Sequence, residues 1–349
     1  MPRLTIARIA SDTMLGTDVY QQQIITRAPG VLPPETWTVD HTVVRSLRSP
    51  LAGTRRVPIG KLVSAPAALR RLAGRALYPR DSIVHRMSLE LPPAPGRDVV
   101  TLHDVVAWKF PDEAAPAKAA TEELRHASAI ICVSAFSAGE AVDLLGVEPP
   151  HVVHNGVDER FFDAAPASSD VLAGLGVSGS FVLTTGGASE RKNLAGLAEA
   201  WPIVHRARPD LTLVLTGPPH PRRTALFAGL PKVVLAGLVD AQLVPGLIAA
   251  ADAVVVPSLY EGFGFPALEG MAVGTTVVAA DTSSLPEVVG DGGLLVAPAP
   301  RSLAEGIIDA TSGDPEVGRL AARGRARADE FTWEKSLRGH ARVWAAVAT

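Results

Sequence analysis

From Phe181 onward, short apolar runs alternate with amphipathic stretches, and few folds accept that alternation. The runs are F-V-L-T-T at 181–185, L-T-L-V-L-T at 211–216, K-V-V-L at 232–235, A-V-V-V-P at 253–257, T-T-V-V-A-A at 275–280 and G-L-L-V at 293–296. The turn G-G-A-S and the loop G-P-P-H-P punctuate them, and helices are expected from Asn193, from Asp240, after Pro266 and over Ser283–Val289. Such a pattern indicates an α/β fold, a parallel sheet covered by helices on both faces. Ligands of these sheets bind outside the carboxyl ends of the strands, so the loops after the runs are where chemistry is expected.

The first part of the chain carries fewer marks. A strand is expected at Leu4 to Ile9, then a glycine loop at Gly16-Thr17-Asp18 and a polar helical stretch from Tyr20. Two further strands, Asp98–Leu102 and Ala129–Val133, end in His103-Asp104 and in Ser134. After H-V-V-H-N-G-V-D at 151–158, the small polar stretch A-A-P-A-S-S-D reads as a linker near residue 166. At 349 residues the chain exceeds what one core serves. Domains are therefore expected at 1–166 and 167–331, with 332–349 as a separate amphipathic helix beginning near Trp333. No internal repeat is visible.

Charge is nearly balanced, with 33 basic and 36 acidic residues for a formal −3, which gives no reason to expect a nucleic-acid partner. One segment departs from that balance: Arg45, Arg48, Arg55, Arg56, Lys61, Arg70, Arg71, Arg75 and Arg80 follow one another with no acidic residue between. It reads first as a solvated face, with peripheral contact to anionic lipid or an anionic acceptor as the alternative. The single cysteine, Cys132 in A-I-I-C-V-S, excludes an internal disulfide, fits a reducing cytoplasm and reads as a buried strand residue. No apolar stretch approaches the roughly 20 residues of a spanning helix and no signal peptide is apparent. A cytoplasmic protein, at most peripheral at the inner face of a membrane, is expected.

The segment P-S-L-Y-E-G-F-G-F-P-A-L-E at 257–269 concentrates the chemistry. Gly262 and Gly264 let the backbone approach a ligand closely, and Pro266 suits the first turn of a helix. That helix would direct its N–H groups and positive dipole end at an anion such as phosphate. Glu261 and Glu269 flank the same mouth. Singly, each glutamate reads as structural, because a helix dipole alone favours Glu in a first turn. Their combination with G-F-G in a strand–loop–helix context reverses that weighting, and sugar or ribose hydroxyls are the donors two carboxylates beside a phosphate would need.

Arg191-Lys192-Asn193 places two cations beside a helix start, where the dipole disfavours them; opposite a phosphate-binding helix terminus they would cradle a diphosphate without a metal. His103, at a strand end, can donate to a sugar hydroxyl, although alone it reads as a structural histidine. A rival is the literal G-x-G-x-x-A at 262–267, with Asp281 where a ribose-binding acid belongs. Against that nicotinamide site, P-S-L-Y-E separates the strand from the first glycine, and the element is not the first βα unit of its domain.

The long stretch from Pro257 to Val296 resembles the donor-binding signature of glycosyltransferase family 4, retaining enzymes of the two-domain GT-B fold. Shorter matches follow in order: G-T-D at 16–18, T-L-H-D-V-V at 101–106, H-N-G-V-D at 154–158, G-G-A-S-E-R-K-N at 186–193 and W-E-K-S at 333–336. The resemblance implies two Rossmann-like doubly wound domains facing a cleft, acceptor mainly in the first and nucleotide sugar in the second, with the last helix crossing back to the first. It implies that Glu261 binds donor-sugar hydroxyls, with Ser258, Gly262, Phe263, Gly264 and Phe265 around the sugar and phosphate. By the same likeness Glu269 would hold the ribose, Arg191 and Lys192 the diphosphate, His103 the transferred sugar, and Gly16 would lie near the phosphates or acceptor. Backbone groups around Leu238 and Val239 would recognise the base. Gly187 departs from the pattern, since related enzymes often carry Arg or Thr there, so phosphate neutralisation would lean on Arg191 and Lys192.

The expected activity is hexosyl or deoxyhexosyl transfer, with retention, from a nucleotide-diphosphate sugar such as GDP-mannose or dTDP-rhamnose to a hydroxyl of a saccharide, lipid-linked or small-molecule acceptor. No cofactor beyond the donor substrate is expected, and no D-x-D motif or His/Cys cluster marks a metal. A sugar-nucleotide epimerase on the same fold and a non-catalytic sugar-nucleotide binder are the alternatives.

Overall fold

The computed structural model describes residues 1–11 and 16–349, and two compact units divide them, Met1–Gly156 with Trp333–Thr349, and Val157–Thr332. Each unit holds one wholly parallel sheet.

In the first unit the strands are β1 (Arg3–Ile9), β2 (Thr38–Ser46), β3 (Arg55–Val57), β4 (Ser82–Arg86), β5 (Asp98–Leu102), β6 (Ala129–Cys132) and β7 (His151–Val152), in the order β3-β2-β1-β4-β5-β6-β7. The expected strands near Leu4, Asp98 and Ala129 are β1, β5 and β6. Strands β2 and β4 carry polar side chains that hide them from an apolar-run criterion. In β4 the sequence S-I-V-H-R is buried at every position, because Arg86 grips Asp98 of β5 at 2.8 and 2.7 Å. The expected glycine loop at Gly16-Thr17-Asp18 is instead the first turn of the helix Gly16–Val31. Residues 12–15 lie outside the described residues.

The basic segment is not uniformly solvated. Arg70 is fully buried on the helix Ala67–Leu77, where its guanidinium bonds Glu123 at 2.6 and 3.1 Å and the carbonyls of Leu62, Leu89 and Leu91. Glu123 also meets Arg86 at 3.3 Å, so one buried carboxylate ties two arginines and a connecting loop together. Burial of such charges is tolerated only because every one is paired. The other cations of the segment are exposed or partly so, and exposed Leu69 and Leu72 lie on the same helix.

The second unit contains β8 (Phe181–Thr185), β9 (Thr212–Thr216), β10 (Val233–Gly237), β11 (Ala253–Val256), β12 (Thr276–Ala280) and β13 (Leu294–Val296), in the order β10-β9-β8-β11-β12-β13. All six match the apolar runs. The order reverses between β8 and β11, the topological switch point where doubly wound sheets bind ligands. Its core packs Val182, Leu197, Trp201, Leu213, Val255 and Ile307, with Trp201 Nε1 donating to the Pro231 carbonyl at 2.7 Å.

Three local readings shift. The G-P-P-H-P loop leads into a helix, Pro221–Phe227, started by Pro221 and capped by the His220 side chain. The helix expected from Asp240 begins at Val244, because Asp240 uses its carboxylate to bond Gln242 N at 2.8 Å in a turn. The helix expected from Ser283 begins at Leu285, with Ser283 in the left-handed region at φ 55°.

The first unit ends at Gly156, ahead of the linker expected near 166, because Val157 N donates to the Phe331 carbonyl and pairs with Thr332. The C-terminal helix Trp333–Ala348 packs on the helix Gly16–Val31 of the first unit. Among the described residues no helix is long and apolar enough to cross a membrane.

Candidate active site

The loops after β8 and β11 meet at the switch point of the second sheet, and Asn193 ties them. Its backbone is left-handed at φ 51°, its Oδ1 caps the helix Leu194–Ala207 by accepting from Gly196 N, and its Nδ2 donates to the carbonyls of Pro257 at 3.0 Å and Pro298 at 2.9 Å. Leu259 N donates to the Arg191 carbonyl at 2.7 Å, which lashes the two loops together directly. On the far side Ser283 Oγ accepts from Glu261 N at 3.0 Å, and Ser284 Oγ donates to the Glu261 carbonyl at 2.9 Å. Glu261 is therefore clamped fore and aft by backbone bonds.

Its carboxylate is equally committed. Lys192 Nζ lies 2.6 Å from Oε1, Ser258 Oγ 2.8 Å from the same oxygen, and Arg191 NH1 3.3 Å from Oε2. Glu261 is 6% exposed, and burial opposes its ionisation; the two cations and the serine outweigh it and hold the carboxyl below its ordinary value. Breaking such a buried pair typically costs about 3–5 kcal/mol, so these four side chains act as one unit. The family resemblance implies cations facing a diphosphate and Glu261 facing sugar hydroxyls. The structure brings all of them together, with the cations on Glu261 itself.

Glu269 contrasts with it. It sits on the helix Phe265–Val273 and makes no hydrogen bond or ion pair with the described residues. Burial pushes its carboxyl up to about 7, with Arg160 opposing and Asp158 reinforcing the shift. A half-buried carboxyl of that kind accepts readily from hydroxyl donors. Gly264 caps the start of its helix at φ 105°, and a Cβ there would lie 2.8 Å from Leu285 Cδ2, so a side chain is excluded twice over. Gly262 is buried, and Phe263 stacks edge-on against Phe265 at 5.5 Å and Phe331 at 5.9 Å. A whole loop from Pro257 to Gly264 intervenes between β11 and this helix, so the tight dinucleotide turn of the nicotinamide reading does not form.

The strand ends beside this cluster are also built for close approach. A Cβ on Gly217 would lie 2.0 Å from the Gly186 carbonyl, which accepts from buried Arg223. Gly187 is exposed with nothing within 4 Å of an added Cβ. Leu238 is 70% exposed after Gly237, and Val239 is partly buried. Among the described residues no three His, Cys, Asp or Glu side chains converge to hold a metal.

The family model described as Glycosyltransferase Family 4 matches residues 18–161, and that described as Glycosyl transferases group 1 matches 179–312. O-antigen chain mannosyltransferase B of Escherichia coli is 31% identical over 304 residues, covering 81% of this chain and 79% of that protein. The chain is a family 4 glycosyltransferase. This makes it an enzyme of the hexosyltransferase class. A GDP-mannose-dependent alpha-(1-6)-phosphatidylinositol dimannoside mannosyltransferase of Mycobacterium tuberculosis is 30% identical over 66% of this chain and 59% of its own length. Sucrose-phosphate synthase from Thermosynechococcus elongatus superposes with a TM-score of 0.73 at 22% identity over 99% of each chain, and the fold of the glycosyltransferase is GT-B.

The remaining expected residues of the glycosyltransferase lie in the first unit. Gly16 is exposed at the start of its helix. His103 follows β5, with its carbonyl accepting from Ser137 Oγ at 3.0 Å. Burial, then the nearby His340, lower its pKa to about 4, so its imidazole is neutral. Sequence reasoning missed Asn193 as a loop tie and Ser283 and Ser284 as clamps. The serine pair immediately before L-P-E-V-V was the available signal.

Proposed function

We propose that the enzyme transfers a hexosyl group, mannose foremost, from a nucleotide-diphosphate sugar to a hydroxyl of a saccharide or lipid-linked acceptor, with retention and without a metal. The observation that carries this reading is the cluster of Arg191, Lys192, Ser258 and Glu261 at the β8/β11 switch point, whose loop runs on into the helix Phe265–Val273 that carries Glu269. A diphosphate arriving there meets two cations prepaid in position, and competes with Glu261 for them. Glu261, relieved of cations, accepts from sugar hydroxyls, while Glu269 accepts from the ribose.

As the bond from the anomeric carbon to the β-phosphate oxygen breaks, negative charge grows on that oxygen. Lys192, Arg191 and the dipole of the helix Phe265–Val273 stabilise it. The acceptor oxygen bonds to the anomeric carbon on the same face, and its proton passes to the departing phosphate oxygen. Neutral His103 donates one N–H to the transferred sugar without adding a competing cation. The base lies against the backbone at Leu238 and Val239, donor in the second unit and acceptor in the first. GDP-mannose is the leading donor on the strength of the mycobacterial relative's name.

The exposed arginines 71 and 75 beside Leu69 and Leu72 support peripheral contact with an anionic lipid surface. The function is tested by incubating the enzyme with GDP-mannose, dTDP-rhamnose and UDP-glucose and oligosaccharide acceptors, and reading the product anomer by NMR. Retained configuration without added metal is expected. An inverted anomer, or sugar-nucleotide isomerisation with no acceptor, would reject the reading.

A further inference from the structure

A second polar network, entirely within the first unit, has no part in the scheme above. His340 Nδ1 lies 2.8 Å from the Ser336 carbonyl, and a carbonyl only accepts, so Nδ1 carries the proton. In the neutral ring Nε2 is then an acceptor, and Tyr20 Oη, 2.7 Å away, must donate to it. With its own proton spent, Tyr20 Oη accepts from Thr101 Oγ1 at 2.7 Å. Thr101 has one proton, so it accepts from His85 Nε2 at 2.7 Å. His85 Nδ1 is left bare, and Trp344 Nε1, a donor only, points at it from 3.3 Å.

Every member therefore has one assignable role, and the chain runs one way from Trp344 through His85, Thr101 and Tyr20 to His340 and Ser336. Both ends lie on the C-terminal helix. All the side chains whose rings or hydroxyls relay the bonds are buried.

The relay ends its reach at His103. Thr101 lies in β5, and His103, two residues on, directly follows the strand. Tyr20 spans both: its hydroxyl is fixed on Thr101, and its ring meets the His103 ring at 4.7 Å and 88°. His103 Nε2 is buried and has no hydrogen-bond partner among the described residues, so none of them orients the ring through that atom. We propose that Tyr20 is a positioning residue for His103, tethered by a one-way hydrogen-bond relay that starts and finishes on the C-terminal helix. This rests on the role given to His103 under the proposed function. A misplacement of about 1 Å at a reacting centre can cost about a hundredfold in rate, which is the scale such a tether guards.

Two measurements test it. In ¹⁵N-histidine spectra of the full-length wild-type protein, assigned with His85→Gln, His103→Gln and His340→Gln, His340 is expected protonated at Nδ1 and His85 at Nε2. The opposite tautomer at either residue would overturn the relay, whatever the enzyme's substrate. Tyr20→Phe keeps the ring and removes the tether. With GDP-mannose as the donor probe, about a tenfold loss in kcat at unchanged donor KM is expected, with shifted His103 ring resonances and a folded spectrum. A Tyr20→Phe enzyme with wild-type kcat and unmoved His103 resonances, beside an inactive His103→Ala, would sink this inference alone. Wild-type turnover in His103→Ala would instead remove the role of His103, and this inference with it.

Discussion

The two units solve the same problem, a buried polar network near a strand end, in opposite ways. In the second unit the network is charged: Glu261 is held ionised by Lys192 and Arg191, and its partners are side chains that another anion can draw away. In the first it is neutral, and each hydrogen bond from Trp344 to Ser336 has a fixed direction. Charged clusters at such a site can exchange partners as a substrate's charge arrives, whereas a neutral relay has no alternative arrangement that satisfies every member. The exchangeable cluster around Glu261 and the directional relay around Tyr20 thus offer different kinds of support to the residues beside them.

The largest test of that contrast is Lys192→Ala. Turnover per folded molecule is expected to fall about 10²–10³-fold, the scale of removing one preorganised donor from a developing oxyanion, about 2.7–4 kcal/mol. Steady-state kinetics below the variant's melting temperature measure it; unchanged kcat would strip Lys192 of its assigned role.

The second test sets the units against each other by pH. His340 and His103 have folded pKa values of about 4, below the ordinary 6.5, and His85 is lowered as well, each chiefly by burial. The unfolded chain binds more protons between those values, so the first unit gains stability as pH rises from about 4 to 6.5 and loses it on acidification. Glu269 is raised to about 7 from 4.5, so its contribution has the reverse sign: stability of the second unit falls as pH rises through that window. Each group contributes at most about 1.4 kcal/mol per pH unit. Hydrogen exchange resolved by unit is expected to give opposite slopes, with Glu269→Gln flattening only the second. Parallel slopes in the two units would contradict these protonation states.

Much of the second unit is legible because its strands are short, mostly apolar runs, four of them (β8 to β11) ending at or directly before glycine or proline, and its cation–glutamate site lies in two short loops. The first unit hid its strands and its network together. In β4, His85 and Arg86 look like surface residues until Thr101 and Asp98 are brought beside them. Tyr20 and His340 are 320 positions apart, and no spacing rule connects them. The helix Pro221–Phe227 is hidden in the sequence because Pro221 closes the loop G-P-P-H-P and serves equally as a breaker and as a first-turn residue. Local sequence does not reveal that Lys192 reaches Glu261 at 2.6 Å, because the two lie 69 positions apart.

The smallest expected effect comes from Gly187→Arg. A Cβ there meets nothing within 4 Å, so the added guanidinium has room to reach a phosphate. Nucleoside diphosphate affinity measured by calorimetry is expected to rise severalfold, about 0.5–1 kcal/mol for a partly exposed charge. Weaker or equal binding would mean that the open side of this loop does not face the phosphates.

The assignment of the second unit is tested most directly by determining the structure with GDP and, separately, with UDP. Diphosphate oxygens on Lys192 Nζ and the Arg191 guanidinium, with the ribose on Glu269, are the expected result for whichever nucleotide binds. Either nucleotide seated elsewhere, with Lys192 still 2.6 Å from Glu261, would contradict it.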